Sequence, residues 1–339
     1  MWKPEASRWT TSPILALLLA VAPGCSVDTA PTGPRWHDPS ALTRIEGDAI
    51  WYTNSVSCMD RTTGAGRFAF IAVNRQVMPG GPSDFLFTAS LPLAGCREDD
   101  PCFPETHRLL VEPGFSIFNV DWALDRDQGA FEGRWEGESA SWIYTLAPGG
   151  DPRKWVSGVE PSFTPDAGLV VYVSVGRDAI RSLNPASGGG YTERDGFQNA
   201  SHPRVSPDGR HIACSVRDGE RGQRIVVFER GGTGLADPVS HPDHLPGMNT
   251  GDGTDDDLPA WSPGGQVIAY RATIRENTHR HAIYITQPFT EPENPVRILA
   301  VDPRQEITCL RWHPNGQLLL IVMDGDVYTY PVPERYRGE

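Results

Sequence analysis

Four aspartates crowd one short stretch of this chain, Asn249-Thr-Gly-Asp-Gly-Thr-Asp-Asp-Asp257. Carboxylates clustered among glycines can wrap Ca²⁺ in about six to eight oxygens. Here a glycine stands where such a loop needs a ligand, and no glutamate closes it. Asp252, Asp255, Asp256 and Asp257 therefore read as an acidic surface insertion that protrudes and takes part in a binding face. Two histidine groups could offer imidazoles to a transition metal. His241-Pro-Asp-His244 lies in a proline-rich connection, and His279-Arg-His281 opens an apolar run whose alternation puts both rings on one face. Each would need further ligands converging from elsewhere in the chain, so both read as polar loop or strand-edge residues and no metal site is expected.

Nucleophilic and phosphate chemistry have no motif here: no Gly-x-Ser-x-Gly elbow, HExxH, Walker or dinucleotide fingerprint occurs. Accordingly no catalytic residue and no cofactor is expected. Cys96 and Cys102 flank an acidic, proline-containing loop that holds no histidine, and in an exported chain they most simply form a small disulfide. With Cys25 set aside, Cys58, Cys214 and Cys309 remain, so at least one thiol is free. Cys214 and Cys309 sit inside apolar runs and should be buried as small hydrophobes.

The elements that position these residues come from an internal repeat. Its clearest copy runs from His202 to Phe228. An apolar anchor (Val205) is followed by the turn Ser206-Pro-Asp-Gly209, an alternating run (His211 to Cys214), a polar turn and a second apolar run (Ile225 to Phe228). Proline presets φ at the second turn position and glycine closes the turn, so this is a hairpin signal with a mechanism. The phrase returns at Phe163-Thr-Pro-Asp-Ala-Gly168, Trp261-Ser-Pro-Gly-Gly265 and Trp312-His-Pro-Asn-Gly316, and in degraded form at Trp122 to Gly129. The anchors 122, 163, 205, 261 and 312 are spaced by 41, 42, 56 and 51 residues, near the period of one four-stranded propeller blade, roughly 40 to 50 residues. Units are expected at about 104–158, 159–197, 198–255, 256–306 and 307–333, after a first blade over about 42–99. The last unit is short of an outer strand, and Leu42-Thr-Arg-Ile45 resembles the outer strand Pro295-Val-Arg-Ile-Leu299, so the early strand is expected to complete the last blade and close the ring.

Composition agrees with many short strands. Glycine and proline, 35 and 31 of 339 residues, are each near a tenth of the chain, which argues against a helical protein. Asp and Glu outnumber Lys and Arg by 43 to 30, giving a net charge of −13 with no basic stripe. Nucleic acid is therefore not an expected partner.

Residues 1–24 read as a targeting segment outside the fold. Lys3 and Arg8 precede the nine-residue apolar run Ile14 to Ala22, too short for a bilayer, which needs about 20 residues, but suited to a secretory signal. The run stops at Cys25, an arrangement that resembles the lipobox of bacterial lipoproteins. That resemblance implies cleavage before Cys25 and lipidation of it, with Ala22 and Pro23 departing from the preferred residues; an ordinary cleaved signal is the alternative. Ser26 in place of aspartate favours the outer membrane, facing periplasm or cell surface. Residues 25–41, rich in Pro, Ser, Thr and Asp, read as a flexible tether or as leader with no spacing role.

The phrase of aromatic residue, Ser-Pro-Asp-Gly turn, apolar run and Ile-Tyr-type strand resembles the repeat of TolB-type six-bladed β-propellers, relatives in shape of WD-repeat proteins. The resemblance covers about 104–333 well and 42–103 loosely. It implies an all-β six-bladed propeller over 42–333 with a short tail at 334–339, and a protein that docks others in the bacterial envelope through its loops and central channel. The expectation is a monomeric, non-enzymatic protein-binding or scaffolding module, held to the membrane only by its lipid. The alternative is a channel-centred enzyme acting on carbohydrate, a lyase or hydrolase, with or without metal assistance. Fold alone does not choose between them.

Overall fold

The computed structural model describes residues 51–58, 65–74, 84–92, 105–110, 114–123, 126, 128–147, 150–217, 222–231, 237–238, 255–274, 280–302 and 304–337. The chain is all-β. The first sheet holds β1 (Trp51–Cys58), β2 (Ala65–Asn74), β3 (Asp84–Pro92) and β4 (Glu105–Leu110). The second holds β5 (Phe115–Ala123), β6 (Gln128–Trp135), β7 (Trp142–Leu146) and β8 (Arg153–Ser157). In the third are β9 (Val159–Phe163), β10 (Val170–Val173), β11 (Ile180–Leu183) and β12 (Gly190–Arg194). The fourth contains β13 (Ser201–Val205), β14 (His211–Arg217), β15 (Gln223–Glu229) and the two-residue β16 (Asp237–Pro238). The fifth has β17 (Asp255–Trp261), β18 (Ile268–Ile274), β19 (Arg280–Gln287) and β20 (Glu291–Ala300), and the last has β21 (Ile307–Trp312), β22 (Leu318–Met323) and β23 (Asp326–Pro331). A short 3₁₀ turn, Glu334–Tyr336, follows.

Every sheet is an antiparallel meander in chain order. The first strand of each sheet touches the first strand of the next, and β21 touches β1, so the innermost strands close a cycle. This is a β-propeller. Its core is divided into clusters, each shared by two neighbouring sheets. Ile71 and Leu86 meet Phe131 and Tyr144, and Ala130 and Ile143 meet Phe163 and Val170. Val171 and Ile180 meet Ile212 and Val226, Ile225 and Val227 meet Trp261 and Tyr270, and Ile283 and Ile285 meet Leu319 and Ile321. The second to fifth sheets thus each have two apolar faces and cannot satisfy either alone.

The repeated turn does what its residues dictate. Ser206 N–H donates to His211 O at 2.9 Å, Gly209 N–H donates to Ser206 O at 2.9 Å, and the Ser206 hydroxyl accepts the His211 N–H at 2.9 Å. Thr164 makes the same three bonds with Leu169 and Ala167, and Ser262 with Val267 and Gly265. The fourth position is left-handed in the four clear copies: φ is +74° at Gly209, +70° at Gly265 and +71° at Gly316, while Ala167 takes it at 54°. These turns pack on one another around the ring, for Pro165 lies against Gly209 and Pro207 against Gly265.

Three expectations are corrected. Among the described residues five sheets are complete four-stranded blades rather than six; the sixth sheet has three strands there, and residues 42–45, expected to supply its fourth, lie outside the described residues. Glu105–Leu110, assigned from sequence to the second unit, is the outer strand of the first sheet. The acidic insertion is also divided: Asp252 lies outside the described residues, but Asp255, Asp256 and Asp257 open β17, and Asp256 and Asp257 are buried. Asp257 forms an ion pair with Arg271, Asp255 accepts the Gln223 N–H at 2.9 Å, and Asp256 O accepts the Ser215 hydroxyl at 2.8 Å. Partners on β18 and the neighbouring sheet hold these residues in the ladder, which the polar character of the run does not reveal. Cys214 and Cys309 are free and buried, as their apolar surroundings require. Cys25, Cys96 and Cys102 lie outside the described residues.

Candidate functional site

Each of the six innermost strands breaks register shortly before its end, between Thr53 and Ser55, Ile117 and Val120, Ser201 and Arg204, Asp257 and Ala260, and Ile307 and Cys309, and opposite Val171 and Val173 in the third sheet. A bulge of this kind re-aims the side chains that follow it. Three of the bulges hold a left-handed non-glycine residue three positions before the anchor: Glu160 at φ 56°, His202 at 51° and Leu258 at 52°. Such conformations cost of order 1–3 kcal/mol each and persist only where the surroundings over-determine them.

Beyond the bulge, the residue before each anchor occupies one register position in every sheet. Ser57, Asp121, Ser162, Arg204, Ala260 and Arg311 pair with Ala69, Ala130, Val171, Ala213, Ala269 and Leu320. All six line one cavity of about 210 Å³ at the ring's centre. Above them the wall is made by the anchors Trp122, Phe163, Trp261 and Trp312, and by the turn prolines Pro165, Pro207, Pro263 and Pro314. The first sheet supplies the copy that sequence comparison missed, with Cys58 at the anchor position.

The polar members of this ring also join the sheets. Ser57 Oγ accepts the Trp122 N–H at 2.9 Å, and Asp121 Oδ2 accepts the Phe163 N–H at 2.7 Å, the same bond one sheet further on. Ser57 also donates to Asp121 Oδ1 at 3.3 Å. Trp261 Nε1 donates to Arg204 O at 3.0 Å. Arg204 and Arg311 each turn Nη1 onto the carbonyl of the preceding residue, at 2.8 and 2.9 Å. Arg311 Nη2 makes one long contact to Val120 O, at 3.5 Å. Both arginines are only 8% exposed, and neither pairs with a carboxylate among the described residues. Burial, and then the positive charge of Arg311, push the Arg204 guanidinium down to about 10, with Asp121 acting against them.

A second polar layer lies at the bulges. Glu132 Oε2 accepts the Glu160 N–H at 3.1 Å and an Asn119 amide proton at 2.8 Å. Glu160 accepts the His202 N–H and an Arg177 guanidinium proton at 3.0 Å. Burial pushes the Glu132 carboxyl up, against its hydrogen bonds. For Glu160 burial acts upward too, but His202 and Arg177 outweigh it and hold the carboxyl below its ordinary value. Burial keeps His202 low despite Glu160 and Asp257.

Asp121 reaches the cavity; of the aspartates singled out from sequence, Asp257 belongs with His202 to the bulge layer, and Asp256 is buried in β17. His281 lies in β19 with Nδ1 3.1 Å from Thr273 Oγ1, whereas His241, His244 and His279 lie outside the described residues. Among the described residues no three of His, Cys, Asp and Glu converge as metal ligands. Arg204, Arg311, Glu160 and Glu132 were missed. For the two arginines a signal existed, because aligning the repeats on their anchors puts 121, 162, 204, 260 and 311 in one column.

No family model matches this sequence, and neither does any curated protein. Solved structures do resemble the fold. A candidate TolB from Agrobacterium tumefaciens matches at 17% identity and a TM-score of 0.53, over 85% of this chain and all of that one. A nidogen/laminin complex matches at 9% identity and a TM-score of 0.52, over 76% of this chain and 94% of that one. An oligogalacturonate lyase in complex with manganese matches at 14% identity and a TM-score of 0.51, over 85% of this chain and 73% of that one. At such identities the likeness is one of fold, so the chain is a β-propeller of TolB-like architecture.

Proposed function

We propose that this protein is a non-enzymatic protein-binding or scaffolding module of the bacterial envelope, exported and lipidated at Cys25. On this reading residues 25–41 tether a monomeric propeller to the outer membrane, Cys96 and Cys102 are bridged, and residues 42–45 complete the sixth blade. The observation that carries the reading is the axial cavity. All six sheets contribute to one depression whose walls are aromatic side chains and turn prolines, while Asp121 in it is tied into a joint between sheets. The likeness in fold to a candidate TolB and to a nidogen/laminin complex supports docking.

The test is site-specific photocrosslinking in the native host, with a benzophenone amino acid at Pro207, Pro263 or Pro314 and control positions at Trp135 and Val175, which are exposed at or just beyond the far ends of the second strands of their sheets, opposite these turns. A discrete protein adduct from the turn positions alone is expected. Adducts at every position alike, or at none, would refute the reading. Mass spectrometry of the mature N-terminus checks the anchor, which requires a diacylglyceryl-modified Cys25. No helix among the described residues is long and apolar enough to cross a membrane.

A further inference from the structure

We infer that the axial cavity is a carboxylate-binding site, in which Arg204 and Arg311 receive an acidic group presented by an extended peptide. The inference rests on the docking reading above and names the chemistry of that site. Two guanidiniums, each more than nine-tenths buried, stand in the wall of one 210 Å³ cavity. The Nε atoms of both are buried without a hydrogen-bond partner, as is Nε1 of Trp122 in the same wall. A buried donor left unmade costs about 1–3 kcal/mol, more when charged, so three in one place point to a ligand that accepts hydrogen bonds. The one carboxylate at this level among the described residues, Asp121, already accepts the Phe163 N–H and the Ser57 hydroxyl. Net charge at this level is therefore positive inside a chain whose overall charge is −13.

A planar, bidentate acceptor suits a guanidinium better than a point charge does. The size of the cavity restricts the ligand further, since sites for drug-sized molecules begin at about 300 Å³. The cavity takes a carboxylate with a short stem and not an oligomer lying flat. Trp122, Trp261 and Trp312 are at most 7% exposed, so they offer edges and no open face on which a sugar ring could stack. Both features favour a peptide over a uronate.

Binding is measured by fluorescence polarisation on the whole propeller with three probes: labelled pentapeptide pools ending in a free carboxylate, the same pools amidated, and amidated pools with one central glutamate. The first against the second reports a terminal carboxylate, and the third against the second a side chain. At least one acidic arm should bind wild type, with affinity falling tenfold or more in Arg204→Gln and in Arg311→Met, and more steeply as salt rises. Arg297→Gln, on the outer strand, should bind as wild type. A merely structural pair would lower the melting temperature when truncated, whereas relief of two buried like charges should leave Arg311→Met at or above wild type. Equal binding of acidic and amidated pools, or binding that survives both substitutions, overturns the inference. So does arginine-dependent binding of trigalacturonate in place of the peptides, which would point to the carbohydrate enzyme. Crosslinks retained at Pro207 while every acidic pool fails would refute the carboxylate and leave the docking reading standing.

Discussion

Single side chains in this propeller do two jobs, closing a turn and joining two sheets, and their loss should be measurable. The Ser206 hydroxyl accepts the otherwise unpartnered His211 N–H and is 1% exposed. Ser206→Ala should cost about 1–2 kcal/mol, read as a shift in the denaturant midpoint with unchanged m-value. Glu132 titrates in the opposite sense from Glu160. Its folded pKa is raised, so the stability linked to it is fully present below the unfolded value and is lost as pH rises through the folded one. Glu132→Gln keeps an acceptor for Asn119 and Glu160, and should match wild type in acid but exceed its melting temperature increasingly as pH rises above the ordinary glutamate range. A constant offset across pH would contradict this. The turn serine was legible from its place in a Ser-Pro-Asp-Gly phrase; Glu132 was not, since its partners come from β5 and, in the next sheet, β9.

Among the elements, β6 illustrates close approach. A Cβ built at Gly129 would land inside the Trp122 ring, and one at Gly133 inside the Phe115 ring. Gly129→Ala should therefore lose about 1–3 kcal/mol by overpacking, with the tryptophan emission of the folded state altered because the ring must move. Sequence marked this copy of the repeat as degraded, and the structure gives the reason: no Pro-Gly turn follows the anchor, yet the strand keeps its register through glycine. The aspartates of β17 teach the converse. Three adjacent carboxylates look like loop, but Asp257 stands directly opposite Arg271 in the ladder and pairs with it inside the sheet. Asp257→Asn should destabilise the protein more than Asp255→Asn, because it leaves a buried guanidinium without its counter-charge.

For the whole molecule, stability depends on closure. β1 and β21 meet, and Cys309 and Val56 O are 3.6 Å apart across that seam. If residues 42–45 complete the last sheet, a protein starting at residue 42 should melt with wild type, while one starting at residue 51 should melt several degrees lower and aggregate through the exposed edge of β23. Equal melting of the two truncations would show that the last sheet needs no fourth strand.

The sequence by itself determined the repeat, the turns and the propeller, because these depend on local φ preferences and on an apolar alternation that recurs with a fixed period. It also marked an N-terminal segment unlike the rest. What only the tertiary structure decided is the cavity. Arg204 and Arg311 lie 107 positions apart, and only their shared place before a repeat anchor sets them apart from the other arginines of an acidic chain. Closing the ring brings equivalent register positions of six sheets to one axis, and burial there removes the water that would otherwise satisfy their guanidiniums.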